Sequence, residues 1–323
     1  MGTKHLLLCL ALQLTCTGAE PTRKYFADTV ERASRVPAIF DMSGTLLPHW
    51  HGQALVGVEA NQSQAPLIYR IDEAGRRDQF SFTIPDAAIL YVHGLAIGSG
   101  GTVAIAAGAV DSDSKVRSFL AVVPPDRNAQ IVVETTPYVA WDVTFVPDGS
   151  LWTVGYTFDH ARKRYVEPNV MAHFDGTGKL LTSFPVVAKA RFGPGKPAAL
   201  QHSFLRISDD RMGWFTNGLE YIEFSFDGRE LTRYEGPHVK DPLETALWSS
   251  FALSPNNEVI LASKHDEKRQ TWQLDRDNAR WIPVQFEDEG LPAWGRVLGF
   301  DGHTLVLTGT FHEFRRYRTN TIR

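Results

Sequence analysis

Short apolar runs alternate with polar residues along most of this chain, and tight-turn residues separate them in pairs. The first recurring unit is strand, turn, strand. It reads Leu95–Gly108, Val143–Tyr156, Leu205–Asn217, Phe251–Ser263 and Leu298–Gly309, with a degenerate copy at Gly52–Glu59. Its turns fall near Gly52, Gly101, Gly149, Asp210, Asn257 and Gly302. Apolar residues two positions apart place one face of a strand in a core. Asp-Gly and Asn-Asn steps supply the positive φ that a two-residue hairpin turn requires.

A second hairpin alternates with the first. Its copies are Leu67–Gly75, Phe119–Asp126, Val170–Gly178, Tyr221–Gly228, Thr271–Asn278 and a weaker Phe314–Asn320. The two hairpins together make a four-stranded unit, a-b-c-d, repeated about every 43 to 61 residues. Periodic short strands can also build a sandwich, but four-stranded units at this period are the mark of propeller blades. The expectation is an all-β chain, a six-bladed β-propeller of four-stranded blades over residues 37–323. The last unit supplies strands a, b and c before Arg323, and Pro37–Asp41 precedes the first blade without a hairpin partner. This N-terminal segment is therefore predicted to close the last blade by pairing near Phe314–Arg318, which hides exposed strand edges. Lys24–Arg35 is predicted as one short helix.

The remaining segment, residues 1–36, reads differently. Lys4 and His5 are followed by the apolar run Leu6–Leu14 and then by the small residues Thr17, Gly18 and Ala19. A run this short cannot span a bilayer as a helix of ~20 residues, but it suits the core of a signal peptide. Residues 1–19 are predicted to be that peptide, with cleavage near Ala19, and 20–36 to be a short N-terminal segment. The product is expected to be exported, periplasmic or extracellular. Both cysteines, Cys9 and Cys16, lie in the leader, so the mature chain is expected to have no disulfide, thiol nucleophile or cysteine metal ligand. Acylation at Cys16 is a minor alternative, because Gln13 stands where a lipobox needs an aliphatic residue.

Composition changes the picture little. Apolar residues make up 43%, enough for a sizeable core, and nineteen Phe with eight Trp suit half-buried strands. A net charge of −4 gives no electrostatic reason to expect nucleic acid as a partner. No later stretch is apolar over 18 residues, so no transmembrane segment is expected in the mature chain.

The layout resembles the six-bladed propellers of the NHL and SMP-30-like kind over roughly residues 37–323. The resemblance is architectural, resting on repeat length and on units that end in Asp-Gly. For the SMP-30-like lactonases it implies carboxylates and amides of the innermost strands converging on a divalent metal. This sequence does not supply that set.

Candidate chemistry lies where the d–a and b–c connections gather, here called the upper face. Those connections are longer and more varied than the tight a–b and c–d turns of the lower face, and long loops usually exist to bind something. Aligning the first units places Thr45, His93, Asp142, Ser203 (or His202), Ser250 and Arg296 just before the inner strands, as a polar ring at the channel mouth. One carboxylate and an arginine make a poor divalent-metal site, so no metal and no cofactor are expected. Such a ring can also simply cap strand ends. Trp141, Trp248 and Trp294 enter three inner strands beside Tyr91, either as packing between blades or as an aromatic platform. The third b–c loop adds Tyr156, Tyr165 and three basic residues, Arg162, Lys163 and Arg164. No Gly-x-Ser-x-Gly, His-Glu-x-x-His or Walker sequence is present. The sequence thus points to a binding or scaffold module for a peptide, glycan or protein. Its candidate ligand-binding residues are His93, Trp141, Asp142, His202, Trp248, Trp294 and Arg296. The alternative is a hydrolase or lyase at the channel mouth, tested at Asp142, His93 and His202.

Overall fold

The computed structural model describes residues 24–32, 49–52, 54–58, 62–72, 76–127, 130–189, 204–216, 220–237, 249–265, 268–286, 296–308 and 313–320. Five blades are each built from strands consecutive in the chain. The first holds His49–His51, Ala54–Val58, Leu67–Ile71 and Arg77–Ser81. The second holds Ala87–Ile97, Val103–Asp111, Val116–Val123 and Ile131–Glu134, and Gln62–Ser63 is added to its inner strand at Leu90 and Tyr91. The third runs Tyr138–Phe145, Leu151–Asp159, Arg164–Phe174 and Leu180–Pro185. The fourth is Phe204–Ile207, Met212–Thr216, Glu220–Phe224 and Glu230–Glu235, and the fifth is Ser250–Leu253, Val259–His265, Lys268–Asp275 and Arg280–Pro283.

The circle is completed by a composite sheet from both ends of the described chain. Val297–Phe300, Thr304–Thr308 and Glu313–Asn320 are joined by Lys24–Arg32, and Gln285–Phe286 pairs parallel to its start. The expectation of a six-bladed propeller made of uniform four-stranded blades is therefore corrected. By contiguous units the blades number five, and the closing sheet has five strands of mixed origin.

The N-terminal closure is also corrected in position. Lys24–Arg32 is a strand, not a helix, and pairs antiparallel with Glu313–Asn320, with Tyr25 opposite Thr319 and Glu31 opposite Phe314. A register shift between Ala27 and Thr29 interrupts the side-chain alternation. A bulge of this kind hides the period of two on which strand recognition depends. Pro37–Asp41 lies outside the described residues, as do the predicted leader and both cysteines.

The packing explains the spelling of the strands. Each blade faces a neighbour on both sides, so strands near the channel are buried on both faces: in the second strand of blade three, Leu151 to Gly155 are all buried. One apolar cluster fills each gap. The gap between blades one and two holds Phe82, Leu95 and Ile105; that between three and four holds Trp152, Leu205 and Trp214. At the rim the pattern reverses, and Leu180 to Ser183 are exposed. The turns follow the expected chemistry. Gly149 adopts φ 83°, and Asp148 Oδ1 accepts from the Ser150 amide at 2.9 Å. Asp175 Oδ1 does the same for Thr177 and Lys179, with Gly178 at φ 80°. Short Asp side chains stabilise such turns by accepting from amides two residues on.

Candidate functional site

Two regions of the central channel have describable chemistry. In the channel wall, polar side chains of one blade bond to the inner strand of the next. His93 Nδ1 lies 3.2 Å from the Ala140 carbonyl. Asp142 Oδ2 accepts from the Leu205 amide at 2.8 Å, and Ser250 Oγ accepts from the Val297 amide at 2.8 Å. His49 Nδ1 accepts from the Ile97 amide at 3.2 Å. A carbonyl can only accept, so His93 carries its proton on Nδ1. An amide can only donate, so neutral His49 carries its proton on Nε2.

Of the predicted polar ring, His93, Asp142 and Ser250 are thus stitches between blades, and His93 and Asp142 are out of register by one residue. The last paired residues of the inner strands are Ile97 in blade two and Phe145 in blade three. Counting back from them, Trp141 is the counterpart of His93, and Gly94 is that of Asp142. Both strands bulge there, between Val92 and Gly94 and between Ala140 and Asp142. The blades approach so closely that a Cβ on Gly94 would stand 2.7 Å from the Asp142 Cα.

Burial sets the protonation states. His93 is held down to about 4 by loss of solvent, partly offset by its bond to Ala140. His49 lies well below the usual histidine range, first by burial and then by the nearby Arg206 and His51. Asp142 is pushed up to about 6 by burial, against the pull of Arg206 and the amides of Leu205 and Val143. Arg206 Nη1 sits 3.3 Å from Asp142 Oδ2 and also donates to the Leu205 carbonyl at 2.8 Å. Arg296 is buried at the start of its inner strand, and burial lowers it to about 10.

A run of aromatic rings leads from this wall toward the upper face. His93 stacks on Trp141 at 4.8 Å between centroids, and Trp141 meets Tyr156 at 6.3 Å. Tyr156 packs edge-on to Tyr165 at 5.3 Å, Tyr165 to Phe158 at 5.2 Å, and Phe158 to His160 at 4.9 Å. All six rings are half-buried. The rings after Trp141 belong to the long b–c hairpin of blade three, whose tip exposes Arg162, Lys163 and Arg164. Gly108 leaves room for the His93 ring, since a Cβ there would lie 3.1 Å from its Cε1.

The second region is a cavity of about 1100 Å³ at the opposite end of the channel. The ends of the inner strands and the a–b turns line it, with His49, Thr144 and Arg206 on the strands and Asp209 and Asp301 in the turns. Sequence reading did not single out His49 or Arg206. Their signal was a charged or polar residue inside an otherwise apolar inner strand, as in Leu205-Arg206-Ile207.

Of the predicted site residues, the structure brings His93, Trp141 and Asp142 together. Arg296 stands on the closing sheet. His202, Trp248 and Trp294, with Thr45 and Ser203, lie outside the described residues. Among the described residues no three His, Cys, Asp or Glu side chains gather as a metal site, and no helix is long and apolar enough to cross a membrane.

The fold defines the class, a β-propeller. No protein-family model matches the chain, and no curated protein matches its sequence. Solved structures do match in shape. A luciferin-regenerating enzyme shares 12% identity with a TM-score of 0.51, covering 91% of this chain and 95% of that one. The Hadza microbial sialidase Hz136 shares 9% identity with a TM-score of 0.51, over 85% of this chain and 65% of that one. At such identities the likeness shows the fold alone. The expected architectural resemblance to the six-bladed NHL and SMP-30-like propellers is corrected: the blades number five, and the likeness is to propeller architecture in general.

Proposed function

We propose that this chain is an exported binding propeller that takes a peptide, glycan or protein surface on its upper face. The observation that carries the reading is the half-buried aromatic run from His93 and Trp141 to Tyr165 and Phe158, edged by Arg162, Lys163 and Arg164. Partly open rings offer large contact area at little cost in side-chain entropy, and basic residues at their margin add polar reach. His202, Trp248, Trp294 and Arg296 remain assigned to the same face by their positions before the inner strands. Export rests on the basic start, apolar run and small residues of 1–19. Cleavage near Ala19 leaves the closing strand Lys24–Arg32 in the mature chain.

The hydrolase or lyase alternative is weaker. Asp142 Oδ2 already holds the Leu205 amide and Arg206, and His93 Nδ1 already holds the Ala140 carbonyl. Those bonds support a wall rather than a substrate. The test is an array of oligosaccharides and amide-capped peptides probed with mature protein. Tyr165→Ala and Trp141→Ala are expected to lower affinity at least ~10-fold for any hit, as for aromatic anchors elsewhere. Hits that bind both variants as tightly as wild type contradict the reading. Mass spectrometry of protein from the native cell is expected to find an N-terminus near Glu20. An intact Met1 defeats export.

A further inference from the structure

The lower cavity has a polarity of its own. Its deep end carries hydrogen-bond donors. Arg206 is 7% exposed, and its Nε is buried without a hydrogen-bond partner among the described residues. His49 is 3% exposed and, with Nδ1 accepting from Ile97, presents its remaining proton on Nε2. Asp142 occupies Nη1 of Arg206 and leaves Nε unanswered. An unanswered buried donor is costly, but Nε is shut off from the open space. The donors left to a ligand are Arg206 Nη2, unpartnered among the described residues, and His49 Nε2. Between the deep end and the turns the walls are apolar, including Ile97, Phe145, Ile207 and Phe300. At the mouth stand two exposed carboxylates, Asp209 and Asp301.

We infer that this cavity binds a small monocarboxylate with an apolar body, its carboxylate held at the deep end by Arg206 and His49. Charge decides against a dianion. One guanidinium already shared with Asp142 cannot neutralise two charges, and the acidic mouth repels them. Size admits an organic acid with room to spare, since about 1100 Å³ lies just above the ~300–1000 Å³ usual for ligand pockets. The site is separate from the aromatic run of the upper face and does not depend on the function proposed for it.

The test is calorimetric titration of the mature protein with acetate, butyrate, hexanoate and phenylacetate, each beside its primary amide. Affinity is expected to rise with the apolar body, and each amide to bind at least ~10-fold more weakly than its acid, since a charge-assisted bond is lost. Asp142→Asn is expected to tighten the acids several-fold by releasing Arg206 from its counter-ion. The double variant Asp142→Asn/Arg206→Gln removes both charges together and is expected to weaken the acids at least ~10-fold while leaving the amides unchanged. Trp141→Ala is expected to leave acid binding intact, which separates this site from the upper face. Acids that fail to bind wild type at millimolar concentration overturn the inference, as do amides that bind equally well. These two comparisons need no variant and decide the matter even if the double variant does not fold.

Discussion

The two ends of the channel use polar side chains in opposite ways. In the wall between blades two and four, His93 and Asp142 give their polar atoms to the backbone of the next blade. At the lower end Arg206 keeps a buried donor unanswered and lines open space. A polar residue in a channel is therefore not a site by position alone. What matters is whether its hydrogen-bonding capacity is already met.

Breaking the stitches should show which end is structural. Asp142→Ala is expected to cost the most, about 3–5 kcal/mol, because it strands Arg206 and the Leu205 amide in a buried wall. Denaturant unfolding measures it, and a loss under ~1 kcal/mol would mean that the ion pair is idle. Gly94→Ala comes next at roughly 1–3 kcal/mol, since its Cβ would press on the Asp142 backbone. Ser250→Ala should cost less again, about 1–1.5 kcal/mol, by leaving the Val297 amide without its acceptor. Asp227→Ala, in an exposed lower turn, should stay within ~0.5 kcal/mol and leave upper-face binding unchanged.

Acid sharpens the same comparison. His93 falls from 6.5 to about 4, so its contribution is present above 6.5 and is lost as pH falls toward 4. His49 acts in the same sense. Asp142 rises from 3.8 to about 6, so its contribution is present below 3.8 and is lost as pH rises through 6. The two histidines outweigh one carboxylate, and stability of the wild type should fall between pH 6.5 and 4. Asp142→Asn removes the opposing group and should make that fall steeper. A shallower fall in the variant would show that the carboxyl is not raised.

The hairpins were legible because their turn chemistry is local. Asp148-Gly149 and Asp175-x-x-Gly178 need no distant partner to be recognised. The identity of the closing strand was not legible. Lys24–Arg32 loses its alternation at the bulge near Ala27, and its structure is set by pairing with residues near 316, almost the whole chain away. The slip in the polar ring has another cause. Both inner strands bulge at the same place, at His93 and at its counterpart Trp141, and choosing the polar residue before each strand took Asp142, one position further on. Arg206 escaped notice because a single charged residue between Leu205 and Ile207 looks like the exposed face of an alternating strand. Only the ring of blades buries both faces.

The most direct test of the upper-face assignment is hydrogen exchange on the mature protein with a bound oligosaccharide or amide-capped peptide, ligands that carry no small monocarboxylate for the lower cavity. Protection is predicted over 138–141 and 156–165, with no change at the turns near Gly149, Gly228 and Gly302. Protection over those turns, with the aromatic hairpin unchanged, would contradict the account.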